Sequence, residues 1–305
     1  SQDRAWAYIG LSNIYSNRGY MTGVRRVLIE ALKLRANFVV AYLDLALSEG
    51  TLQHDEAALA AWQKVVALQF ERHEPDVAER SYAIHRPDSQ AAVAGALGDY
   101  AGQIIFDREV EALPDFDGHA ENARQGDTLA FASLHDEAGM LQAMANLPPT
   151  SNAQTLVSRE ASRALGNLLL GAWRPLLQQR IKFETPMAKL GQLGPILETR
   201  QFWPEVAYAL ALSGDLSGAH SLIDKTPTDC TVCLLQRGRI DALQKNWDGA
   251  EYWFARAARA APSPPFAYAD WGEMLLHKGD FVGARAKLPL ANHKGPHLPA
   301  PPAMW

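Results

Sequence analysis

TVCLLQRGRIDALQKNWDGAEYWFARAARAAPSP (231–264) and PFAYADWGEMLLHKGDFVGARAKLPLANHKGPHL (265–298) are two consecutive blocks of 34 residues. The first places Trp247, Ala250, Phe254, Ala257 and Pro262 at positions 17, 20, 24, 27 and 32. The second places Phe281, Ala284, Leu288, Ala291 and Pro296 at the same positions, and adds Trp271, Gly272 and Gly279 at 7, 8 and 15. Apolar residues recur every three or four positions, a glycine stands midway in the second block, and a proline closes each. That is the pattern of two amphipathic helices joined by a tight turn.

Working outward, residues 5–38 fall on the same template. Tyr8, Leu11, Ser12 and Tyr15 take the first helix, Gly19 the turn, and Leu28, Ala31 and Leu34 the second helix. Residues 39–72 follow without a gap, with Tyr42, Leu45, Ala46, Ala58, Trp62, Val65 and Leu68 in place. Their turn has Gln53 at position 15 instead of glycine. A further unit begins at Arg200, with Trp203, Val206, Ala207, Gly214, Ala219 and Ile223. Small residues at positions 8 and 20 let paired helices approach, and large ones elsewhere fill the space between them.

The spacing and residue choice resemble the tetratricopeptide repeat (TPR) family. The resemblance implies an all-α fold, a right-handed solenoid of about eight antiparallel hairpins. It divides the chain into an N-terminal TPR pair (1–72), degenerate TPR-like hairpins (73–199), and C-terminal TPR units with a truncated, proline-rich end (200–305). In the middle region the spacing predicts helices over 88–97, 101–113, 118–134 and 137–147, a helix to Leu170 capped by Asn152 or Ser158, and a partner over 172–183. The stretch from Met187 to Glu198 reads as a broken helix or long connection. Pro289, inside the last helix, predicts a kink or an end near Leu288, since an interior proline costs about 3 kcal/mol.

The function classes that fit are narrow. A net charge of -5 with interspersed signs is no nucleic-acid surface. No apolar run is long enough to span a bilayer. No phosphate loop, nucleophile elbow or zinc-protease motif is present, so the expectation is a protein that is not an enzyme and uses no cofactor or metal. The chain is expected to be a fragment of a longer protein, cytoplasmic, or periplasmic if its N-terminus is a signal-cleavage product.

In a TPR protein the partner lies on the concave face. The corresponding residues here include Trp6, Ile9, Asn13, Ser16 and Asn17 in the first unit, Val40, Leu43, Asp44 and Leu47 in the second, and Gln236, Arg239, Asp270, Glu273 and His277 in the last two. Only Asn13 matches the Lys/Asn/Arg clamp of carboxylate-gripping members, so a helix or extended segment with basic character suits the groove better. The alternative is that neighbouring helices cover this face. The C-terminal stretch also looks like bacterial TPR proteins, some of which carry a signalling or DNA-binding domain. That likeness implies a regulatory scaffold for a protein or peptide partner, or a ligand-gated sensor that takes a peptide or small molecule inside the superhelix.

Three other features stand out. Cys230-Thr-Val-Cys233 at a helix start is readable as buried structural thiols, as a disulfide, or as a redox-active pair. Asp115, Asp117, His119 and Glu121 concentrate charge before a helix, to be read as a cation or acid/base site, or as helix capping by Asp115 or Asp117. Met304 and Trp305, where a further repeat would begin, offer an apolar edge for capping the last unit or for homodimerisation.

Overall fold

The computed structural model describes residues 2–71, 86–112, 119–150, 152–178, 187 and 190–299. These are all helix and turn. The helices are α1 (Gln2–Asn17), α2 (Met21–Leu34), α3 (Val39–Thr51), α4 (Asp55–Glu71), α5 (Arg86–Ala96), α6 (Tyr100–Glu111), α7 (His119–Ser133), α8 (Glu137–Ala145) and α9 (Ala153–Leu169). A short helical stretch covers 173–178. Then come α10 (Leu193–Leu197), a π turn (Glu198–Phe202), α11 (Trp203–Leu212), α12 (Leu216–Ile223), α13 (Thr231–Leu243), α14 (Trp247–Ala260), α15 (Phe266–Lys278) and α16 (Phe281–Lys294).

The two helices of a hairpin pack together, and a first helix can also touch the first helix of the following hairpin, as in α1 with α3, α11 with α13 and α13 with α15. This is the packing of a repeat, solenoid-like array. The core is accordingly strung along the chain. Ile9, Leu28, Ala31 and Phe38 centre one cluster, Leu222, Val206 and Tyr208 another, and Phe254, Ala250, Met274 and Ala284 a third.

One turn design recurs. A residue in the left-handed region ends the first helix, and the next residue caps the second through its side chain. Gly98, His135, Gly214, Lys245 and Gly279 take the left-handed position. Asp99, Asp136, Asp215, Asn246 and Asp280 then accept a hydrogen bond from the backbone N–H three residues on. That third residue is glycine each time, because a Cβ there would run into the capping side chain. In the N-terminal units Gly19 and Gln53 hold the left-handed position without the aspartate.

The hairpins do not continue as one open row. Residues 190–299 fold back beside the first three hairpins. Leu193 and Ile196 pack on the N-terminal core. The α3–α4 turn is stitched to the other array: Thr231 N–H donates to Gln53 O at 2.9 Å, Arg200 to Leu52 O at 2.8 Å, and Gln201 to Thr51 O at 3.2 Å. Glu56 accepts from Ser263 N–H at 2.9 Å and Oγ at 2.7 Å. Leu298 covers Gly98. Turns of the first array thus meet unit-to-unit loops of the second, in order along both.

One expectation, an end of the last helix near Leu288, is corrected, and two open readings are decided. α16 runs through Pro289 to Lys294. Pro289 is exposed and so is Arg285, whose carbonyl loses its partner, so water can serve that carbonyl. The broken stretch before Glu198 carries α10 and passes directly into the π turn, and Asn152, not Ser158, caps α9 through Thr155 N–H at 3.0 Å. Asp115, Asp117, Met304 and Trp305 lie outside the described residues.

Candidate functional site

The residues with the most unusual chemistry gather where α11, α13 and α15 present successive turns to one another. Arg239 and Asp270 form a two-pronged ion pair, Nε to Oδ2 at 2.9 Å and Nη2 to Oδ1 at 3.1 Å, the strongest geometry open to these groups. The guanidinium also lies 5.6 Å from the centre of the Tyr208 ring. Burial works against the Arg239 charge, but Asp270 outweighs it and the group stays protonated. Gln236 Nε2 donates to Glu205 Oε2 at 2.8 Å. Burial pushes the Glu205 carboxyl upward, against the opposing pull of Arg239 and Gln236. Burial also raises Tyr100 of α6, which feels Arg239 as well, so the cluster extends to the N-terminal array.

Of the predicted binding residues in this region, Gln236, Arg239 and Asp270 are therefore turned inward and engaged with the chain itself. Glu273 is half-buried and His277 exposed. Glu205 and Tyr208 belong to the same cluster without having been singled out in the sequence. They occupy positions 6 and 9 of the unit that begins at Arg200, the positions of Gln236 and Arg239 in the next unit.

The N-terminal face is different. Ile9, Val40 and Leu43 are core, and Trp6 packs edge-on against Phe38 with centroids 4.9 Å apart. Asn13, Asn17 and Leu47 are exposed. Asn13, Ser16, Asp44 and Leu47 line a recess of about 160 Å³ that Leu193 and Leu197 close on one side. Asp44 is raised to about 6 by burial, in spite of the Ser12 hydrogen bond. Ser12 has one hydroxyl proton, within reach of Ile9 O at 2.8 Å and Asp44 Oδ2 at 3.2 Å. Asp44 therefore meets neutral pH incompletely served.

At the joint between the arrays is a cavity of about 490 Å³. Leu129, Val157, Ala161, Leu176, Phe202 and Val232 supply apolar wall, with Thr51, Gln53, Gln201 and Glu205 among its polar positions. Beside it, Cys230 and Cys233 form a disulfide, fully buried. That bond is common to the disulfide and the redox-active readings of the pair. Cys230 Sγ also accepts from Cys233 N–H at 3.1 Å as the cap of α13, and lies 3.4 Å from Arg200 O.

A second buried pair had no sequence signal. Asp107 and Asp127, on α6 and α7, are each 5% exposed. Burial raises both; Asp127 pushes Asp107 further up, while the hydrogen bond from Asp107 favours the Asp127 carboxylate, so the pair holds a proton at neutral pH. Gln103 Nε2 donates to Asp107 Oδ2 at 3.3 Å. Two carboxyls with one amide donor in a helix interface suit packing that is held by a shared proton. Among the described residues no group of three or more His, Cys, Asp or Glu is placed to hold a metal ion, and no helix is long and apolar enough to cross a membrane.

No protein-family model matches the chain, and no curated protein matches it by sequence.

Proposed function

We propose that this chain is a TPR-like, right-handed helical scaffold with no enzymatic activity of its own. Its open N-terminal face takes an extended or helical segment of a protein partner. The observation that carries this reading is the recess lined by Asn13, Ser16, Asp44 and Leu47, which combines an exposed apolar side chain with a partly served carboxylate. A basic side chain reaching Asp44 would hold it ionised and compensate its burial. Around it, Asn13 and Asn17 offer amide donors and acceptors to a backbone. In the bacterial regulatory setting that the resemblance implies, such a segment would come from a partner or from another part of the same protein.

The test places a photo-crosslinking residue at Asn13 or at Leu47, with Lys245 as a control on a distant turn. Crosslinks to one partner from both groove positions, absent from Lys245 and lost on Asp44→Lys, support the reading. A partner still captured by Asp44→Lys through the groove positions ends it.

A ligand-gated sensor is the second reading, favoured by the cavity at the joint between the arrays. A molecule that fills it touches the residues that stitch the two arrays together, so it would favour one relative placement over another.

A further inference from the structure

The joint cavity has a definite chemical polarity. Most of its wall is carbon, and Glu205 is the ionisable side chain that lines it among the described residues. Glu205 is deep in the molecule, yet its residue is not closed off, because it borders the cavity. Its Oε2 accepts from Gln236. No described group donates to its Oε1. Gln236 Oε1 is itself buried without a hydrogen-bond partner. Arg239, the neighbouring cation, gives its Nε and Nη2 to Asp270. The cluster thus has two acceptor oxygens without a described donor beside an apolar space.

Unserved buried acceptors are expensive, more so when charged. A guest that brings an N–H donor with positive charge relieves that imbalance. A guest carboxylate would meet Glu205, whose ionisation Asp270 already disfavours, and add to it. The volume lies in the range of small-molecule sites, about 300–1,000 Å³.

We propose that this cavity binds a small amphipathic amine, its ammonium on Glu205 and its apolar body against Leu129, Val157, Ala161 and Phe202. The inference rests on the sensor reading and gives it a ligand class. The π turn has a direct part: it sets Gln201 and Phe202 in the wall while Gln201 also holds Thr51 O of the other array. Filling the cavity therefore presses on a contact between arrays.

The experiment is calorimetry on the full chain with octylamine, octanoate and octanol near neutral pH. Octylamine binds saturably and octanoate does not. Glu205→Gln weakens octylamine by about tenfold or more, the loss expected for one charged hydrogen bond, and leaves octanol unchanged. Ala161→Trp fills the space and removes binding with the circular dichroism melt retained, and Ser162→Leu serves if that variant does not fold. Equal binding of all three probes, undiminished octylamine binding by Glu205→Gln, or no saturable binding of any probe overturns the proposal.

A fluorescence distance between labels at Asn17 and Lys225 separates the two readings. Octylamine that binds through Glu205 and alters this distance supports both. Octylamine binding with no change in distance keeps the ligand class and ends the sensor reading. A change produced by octanoate alone keeps the sensor and overturns the ligand class.

Discussion

Residues 5–72 and 231–298 share a template, yet they treat charge on the equivalent face in opposite ways. In the C-terminal units Arg239 and Asp270 are matched prong for prong and packed over by Tyr208. In the N-terminal units Asp44 has a shared hydroxyl and, among the described residues, no paired cation, beside exposed Asn13 and Leu47. The same helical position can therefore build an internal joint or leave a surface for something else. Which of the two it does depends on the facing side chains, because the helix geometry is the same in both.

The largest effect that tests this contrast is Arg239→Met. It strands Asp270, whose side chain is 9% exposed, and stability should fall by about 3–5 kcal/mol in urea unfolding. Adding Asp270→Leu should restore most of the loss, since no buried charge is then left alone. The corresponding change in the open groove, Asp44→Asn, should cost little, because it removes a carboxyl that burial already disfavours. Similar losses for Arg239→Met and Asp44→Asn would mean that the two faces are not distinct.

The repeat template was legible because close helix packing demands fixed sizes at fixed spacing. Trp247, Phe254 and Ala257 could be read from the sequence for that reason. The folding-back was not legible. It rests on backbone carbonyls of Thr51, Leu52 and Gln53, which look the same in any sequence, and on Arg200 and Gln201, which have no periodic signature. The turns fall between these extremes. Gly98-Asp99 and Gly279-Asp280 are readable, whereas His135-Asp136 and Lys245-Asn246 build the same turn with the glycine replaced. Asp107 and Asp127 lie outside the register, so nothing in the sequence brings them together.

Those two aspartates supply the next effect, in the region between the two arrays being compared. Both folded carboxyls are raised, so above the ordinary carboxylate pKa near 4 the folded state holds more protons than the unfolded one. Their contribution is complete below that pH and is lost as the pH rises toward about 8, where Asp107 lies. Asp88 and Glu111 deepen the loss and Arg108 opposes it. Asp107→Asn should flatten the decline of thermal midpoint across this window, and an unchanged slope would assign the pH dependence to other groups. Asp44, raised to about 6, contributes a decline of the same sign that ends earlier, so Asp44→Asn should flatten only the lower part of the window.

The smallest effect compares one position of the template in the two arrays. Gln53 and Lys245 both stand at position 15 with left-handed backbone, φ 57 and φ 60. Glycine relieves strain of about 1–2 kcal/mol there but gives back part of it through the freer unfolded chain. Lys245 makes no described side-chain hydrogen bond, so Lys245→Gly should stabilise by a net amount below about 1 kcal/mol. Gln53 differs, because its Nε2 donates to Gly50 O at 2.9 Å and its backbone carbonyl takes Thr231 N–H across the joint. Gln53→Gly keeps the carbonyl but loses the side-chain bond, about 0.5–1.5 kcal/mol. It should therefore stabilise less than Lys245→Gly, or not at all. If Gln53→Gly proves the more stabilising of the two, the hydrogen bond to Gly50 contributes nothing and the N-terminal turn carries more strain than its C-terminal counterpart.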